Sequence, residues 1–197
     1  STGFIVTEEE TRIISDFCHR RAQKGTKVFV DPIMGDNGKL YAGVPESTIG
    51  LMRSLVECAD YAVPNYTEAC LLTDTPIAEE ITADEARALV DAMLALGTKS
   101  VVITSAKVDG ASAVVGYDHV AGEYFEIPFE LIPVYFPGTG DTFSAVLMGR
   151  VMSGWSLQRA TADAMRVVAE LIERNADQED KSAGLPIEAC LDVIDHE

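Results

Sequence analysis

The chain has 197 residues, 47% of them hydrophobic, enough for one α/β domain with a substantial core and too few for a second of similar size. Its 15 Lys and Arg stand against 32 Asp and Glu, a formal charge of −17, and no basic run could follow a phosphate backbone, so nucleic acid is not an expected partner. Charges or glycines break every apolar stretch well short of the roughly 20 residues that cross a bilayer, so neither a membrane segment nor a signal peptide is expected.

Ser1 opens the chain without Met and a helix follows almost at once, so the α/β domain is expected to begin partway through, with a segment missing upstream. Thr7-Glu8-Glu9-Glu10 reads as a capping box, with Ile13, Ile14, Phe17 and Cys18 on one face until Gly25. Lys27 to Val30 is a strand ended by Asp31-Pro32. A Gly-rich loop over 35–43 leads to a helix from Pro45 to about Cys58. Ala59 to Val63 is a second strand, closed by Pro64-Asn65 and followed by a short helix through Leu72. Thr82-Ala-Asp-Glu85 starts another helix, with Ala86, Leu89, Val90, Met93 and Leu96 on its apolar face. Ser100 to Thr104 is a third strand, and 111–117 with 122–128 form a hairpin. A glycine turn then precedes a helix over 142–152, and helices near 156–174 and 186–195 finish the chain.

Helices alternating with short buried strands predict a mostly parallel sheet covered on both faces, whose ligands sit beyond the strands' carboxyl ends. Asp31, Asn65 and Glu68, and Thr104 and Ser105 follow the three strands in turn. Pro137-Gly-Thr-Gly-Asp141 should face the same edge. Gly138 and Gly140 let successive backbone N–H groups converge on one anion, aided by the helix dipole. An acid set against an anion is electrostatically awkward, which suggests that Asp141 takes a proton from whatever attacks a phosphate. Alone, the same residues also read as a tight turn with an acid complementing the dipole.

Asp31-Pro-Ile-Met-Gly-Asp36-Asn-Gly-Lys-Leu-Tyr41, Pro64-Asn65-Tyr-Thr-Glu68-Ala69, Val101-Val-Ile-Thr104-Ser105 and the glycine turn together resemble the pyridoxal kinase branch of the ribokinase-like superfamily. The resemblance covers about the C-terminal two thirds of that pattern. It implies a single three-layer ribokinase-like domain over 1–197, incomplete at its amino end, that phosphorylates the 5′-hydroxymethyl group of pyridoxal, pyridoxine or pyridoxamine with ATP. Asp141 would be the general base, and the N–H groups of Gly138, Thr139, Gly140 and Asp141 would stabilise the transferring phosphoryl group, with the Thr139 hydroxyl helping. Asp31 and Glu68 would serve magnesium. Asp36, Asn65, Thr104 and Ser105 would serve the phosphates. The resemblance also admits a monovalent cation and implies a homodimer in the cytoplasm.

Each assignment has a plainer reading. Asp31 also reads as a strand-ending turn residue, Glu68 as an exposed acid in a first helical turn, and Asp36 with Asn37 as a turn around Gly35 and Gly38. Hydroxymethylpyrimidine kinase of thiamine synthesis shares much of the framework, and an inactive nucleotide-binding relative is a further alternative. His19, His119 and His196 form no triad, and Trp155 reads as a packing anchor. Cys18, Cys58, Cys70 and Cys190 lack metal-ligand spacing and read as reduced thiols. Strands missing upstream would leave a sheet edge and apolar surface exposed.

Overall fold

Five strands make the central sheet of the computed structural model, which describes residues 1–194. Their order is β1 (Phe29–Val30), β4 (Tyr61–Ala62), β5 (Ser100–Val108), β6 (Ala111–Asp118), β7 (Glu123–Phe129). β1, β4 and β5 run parallel, with Phe29 opposite Tyr61 and Ala62 opposite Val101, while the β6–β7 hairpin adds antiparallel pairs. The sheet is therefore mixed, its parallel half carrying the β-branched runs read from the sequence. All five strands belong to a unit of Ser1–Phe129; a second unit begins at Glu130.

In the first unit, helices α1 (Glu8–Ala22), α2 (Ser47–Val56), α3 (Tyr66–Thr73) and α4 (Ala83–Ala95) pack successively against one another, and α4 lies on β5 and β6. Their common core includes Val30, Met52, Leu55, Ala62, Leu72, Leu89, Met93, Val101, Ile103 and Val115. Thr82 and Glu85 form the expected capping box. At α1 only half of the box exists: Thr7 Oγ1 accepts from the Glu10 N–H, but the Glu10 carboxylate accepts from the Thr7 hydroxyl instead of its backbone.

Three expectations change. Cys18 is buried, but Ile13 and Phe17 are half exposed, so the α1 apolar face is only partly covered. Phe17 and exposed Phe4 border a groove at the β1 edge, which residue 2 bridges in parallel register at Val30. β5 runs past Thr104 to Val108, because β6 pairs along its whole length, and the register shift between Ile103 and Ala106 puts Ser105 at φ 60. The loop at 35–43 contains a small antiparallel hairpin, β2 (Gly35–Asp36) and β3 (Lys39–Leu40). Its turn residues Asn37 and Gly38 have φ 51 and 79, the doubly left-handed pattern of a two-residue hairpin turn.

In the second unit, α5 (Thr139–Met152) packs on α6 (Leu157–Asn175), and a 3-10 helix (Ile187–Val193) follows where an α-helix was expected. Trp155 does anchor these helices. The guanidinium groups of Arg150 from α5 and Arg159 from α6 sit 5.0 and 3.7 Å from its ring centroid. Arg150 and Arg166 also converge on Asp163 at 2.8 Å each. His196 lies outside the described residues.

Candidate active site

Helix α3 organises the candidate residues of the first unit. Asn65, its N-cap, accepts the Glu68 N–H through Oδ1 at 2.9 Å, and Glu68 Oε2 accepts the Asn65 N–H at 2.9 Å. This capping box obeys the same spacing as those at Thr7 and Thr82, so its signal is legible in the sequence. It also reaches beyond its own helix. Glu68 Oε1 accepts the N–H groups of Met34 at 3.0 Å and Gly35 at 3.4 Å, while Asn65 Nδ2 donates to the Gly35 carbonyl at 2.8 Å. Two side chains thus fasten the loop after β1 to the start of α3.

Glu68 is 3% exposed, not the surface acid of the plainer reading. Burial pushes its carboxyl from 4.5 up to about 8, the Asp31 charge adds to the rise, and the three backbone donors pull only partly the other way. The shift favours the protonated carboxyl, and a cation beside it would oppose the shift. Asp31 follows β1 and donates its N–H to the Thr2 carbonyl. Asp36 Oδ1 and Oδ2 accept from the Asn37 backbone N–H at 2.7 Å and side chain at 3.1 Å, so Asp36 and Asn37 form the turn that the plainer reading named. Thr104 donates its N–H to the Pro64 carbonyl at 3.0 Å and bridges Asn65 in parallel register; Ser105 beside it is exposed. Asp31, Asn65 and Glu68 therefore follow the carboxyl ends of β1 and β4, and Thr104 and Ser105 lie beside Asn65 at the register shift in the middle of β5 rather than at its end.

Among the described residues no three of His, Cys, Asp or Glu gather into a metal cage. Magnesium bound with a nucleotide needs only one or two carboxylates, since phosphate oxygens and water fill the rest. Asp31 next to Glu68, a sparse all-oxygen pair, fits such an ion.

The glycine turn belongs to the second unit. Helix α5 starts at Thr139, three residues earlier than expected, so Thr139, Gly140 and Asp141 are its first turn and Gly138 is its N-cap at φ 81. A side chain at Gly138 would be strained in this left-handed conformation. Side-chain oxygens cap α1, α3, α4 and α6, but none caps α2 or α5. Nothing within 4 Å would obstruct a Cβ on Gly140, so the open space there is not filled by the protein. Asp141 is exposed, and its Oδ2 lies 3.8 Å from where a Gly138 Cβ would stand. Gly184, at φ 80, lets its own loop approach the Pro137 carbonyl, where a Cβ would come to 3.0 Å. An uncapped, positively poised helix start beside an exposed carboxylate can receive an anion and hold a base against it.

The family profile of phosphomethylpyrimidine kinase matches residues 1–185. The chain belongs to this family. Phosphomethylpyrimidine kinase family relatives with curated names include the pyridoxal kinase of Arabidopsis thaliana, 34% identical over 83% of this chain and 53% of that protein. The chain spans about half the length of the curated relatives it matches. A candidate phosphomethylpyrimidine kinase from Bacteroides thetaiotaomicron, crystallised with pyridoxal, superposes with a TM-score of 0.91 at 31% identity, covering 99% of this chain and 70% of that one. Pyridoxal kinase from Leishmania donovani, in complex with ADP and pyridoxine, gives 0.79 at 26% identity, covering 99% and 68%. The fold is thus the ribokinase-like α/β fold that the motifs suggested.

Proposed function

We propose that the chain carries the nucleotide, metal and base half of a vitamin B6 kinase, phosphorylating the 5′-hydroxymethyl group of pyridoxal, pyridoxine or pyridoxamine with ATP. The observation that carries this reading is the uncapped start of α5 with exposed Asp141 in its first turn. In the proposed reaction Asp141 takes the hydroxyl proton, the freed oxygen attacks the γ-phosphorus, and the bond to the β-phosphate oxygen breaks to release ADP. The N–H groups from Gly138 to Asp141, with the Thr139 hydroxyl, face the charge that builds on the transferring group, each such donor worth roughly 10² to 10³ in rate.

Asp31 and Glu68 would hold magnesium, which when bound neutralises phosphate charge. Asn65 fixes the loop around Gly35, while Asp36, Thr104 and Ser105 serve the phosphates; a monovalent cation could share this oxygen-rich edge. Residues 1–197 are read as a single ribokinase-like domain, and the enzyme acts as a homodimer in the cytoplasm. No helix among the described residues is long and apolar enough to cross a membrane.

The family match supports a second reading, phosphorylation of hydroxymethylpyrimidine in thiamine synthesis. Incubating the protein with MgATP and each B6 vitamer or hydroxymethylpyrimidine, then weighing the products by mass spectrometry, separates the two. Phosphorylated vitamer that disappears in Asp141→Asn supports the B6 kinase; product from the pyrimidine alone replaces it with the second reading; no product from any substrate favours a nucleotide-binding relative without activity.

A further inference from the structure

Hairpin β2–β3 has only two residue pairs, Gly35 with Leu40 and Asp36 with Lys39, and so small a ribbon does not hold its shape in water unaided. Its base is tied by Asn65 and Glu68. Its tip has a separate tether, in which the Gly38 N–H donates to Thr67 Oγ1 at 2.9 Å. Thr67 is 4% exposed and sits in the first turn of α3, between the two residues that hold the base. A helical threonine commonly returns its hydroxyl to the carbonyl one turn earlier; here that oxygen accepts from another element, 29 residues away in the chain.

The tether acts on the part of the hairpin that matters chemically. Gly38 is the second of the two left-handed turn residues, and Asp36 makes both of its hydrogen bonds to the first, Asn37. The direction of the Asp36 carboxylate therefore depends on the turn keeping its shape. We infer that Thr67 is a positioning residue for nucleotide binding, fixing the Asp36–Lys39 turn through Gly38 so that Asp36 faces the phosphates. This inference rests on the reading of Asp36 given under the proposed function.

Thr67→Val keeps the side chain's shape and removes the acceptor, leaving the part-buried Gly38 N–H unpaired, whereas Thr67→Ser keeps the acceptor. In nucleotide-free protein, amide exchange at Gly38 should quicken about tenfold in Thr67→Val and stay near wild type in Thr67→Ser, the factor expected for one such hydrogen bond. MgADP should bind Thr67→Val about 5 to 10 times more weakly, with recovery in Thr67→Ser. In an Asp36→Asn background, adding Thr67→Val should weaken MgADP no further, because a positioning residue has nothing left to position. Unchanged Gly38 exchange would remove the tether. Faster exchange with unchanged MgADP affinity, or equal losses in both backgrounds, would reduce Thr67 to a packing role. If Asp36→Asn alone leaves MgADP affinity intact, the parent reading of Asp36 fails and takes the positioning role with it, while Gly38 exchange still reports separately on the tether.

Discussion

Glu68 is buried against three backbone donors and near Asp31, and this makes stability depend on pH in the direction opposite to an ordinary ion-paired acid. Folding raises its pKa from 4.5 to about 8, so between these values the native chain keeps a proton that the unfolded chain gives up. With fewer protons bound in the unfolded state, unfolding becomes easier as pH rises through that window, and the slope flattens above the folded value. From pH 5 to pH 7 the loss is about 3 kcal/mol, two pH units at about 1.4 kcal/mol each. Glu68→Gln has no proton to release and should lack this slope. Urea unfolding of both proteins, followed by far-UV circular dichroism at pH 5, 6, 7 and 8 without nucleotide or metal, isolates the effect, since the remaining titrations are shared. The stability of wild type relative to Glu68→Gln should fall by about 3 kcal/mol between pH 5 and pH 7. A difference that stays constant across the series would mean that Glu68 ionises normally in the folded protein, and the argument from burial would be wrong.

Asp141→Asn should lower turnover by roughly 10² to 10⁴ with nucleotide affinity nearly unchanged, measured by steady-state kinetics and MgADP titration; unaltered turnover would remove Asp141 as the base. Gly138→Ala forces a Cβ into the left-handed conformation at φ 81 and should cost about 1 to 2 kcal/mol, read from urea midpoints, while also weakening nucleotide binding. Buried Asp60 accepts the Val28 N–H at 2.8 Å and pairs with Lys99 at 2.7 Å. Burial alone would raise its pKa, but these partners outweigh it and hold the carboxyl below 3.8. Its stabilisation is therefore present above that value and is lost as pH falls through the depressed folded pKa, the reverse of Glu68. Asp60→Asn should accordingly destabilise by about 1 to 3 kcal/mol at pH 7 and have progressively less effect in acid, checked by the same unfolding series.

The elements that form by local rules were legible in the chain itself. Thr82 and Glu85 close a capping box because both partners lie within one helical turn, and the apolar runs at Val28 and Val101 become strands because their β-branched residues are buried on both sides. The Asn65 and Glu68 box followed the same rule and could have been read the same way. Distance along the chain hid the rest. That Glu68 would collect the N–H groups of Met34 and Gly35, and would be buried deeply enough for its carboxyl to be pushed up despite them, depends on α3 meeting a loop more than 30 residues away. The tie from Thr67 to Gly38 depends on the same meeting. Glycines at 35 and 38 announced a turn, but not that two flanking pairs would zip into a hairpin, because so short a ribbon takes its stability from tertiary anchors. Likewise the face of Ile13 and Phe17 had the spacing of a buried stripe; spacing fixes which residues share a face, and only the packing of neighbouring elements decides how far that face is covered. Sequence thus determined the motifs and the local caps, while the tertiary structure decided which carboxylates are buried, which are exposed and which backbone groups they hold.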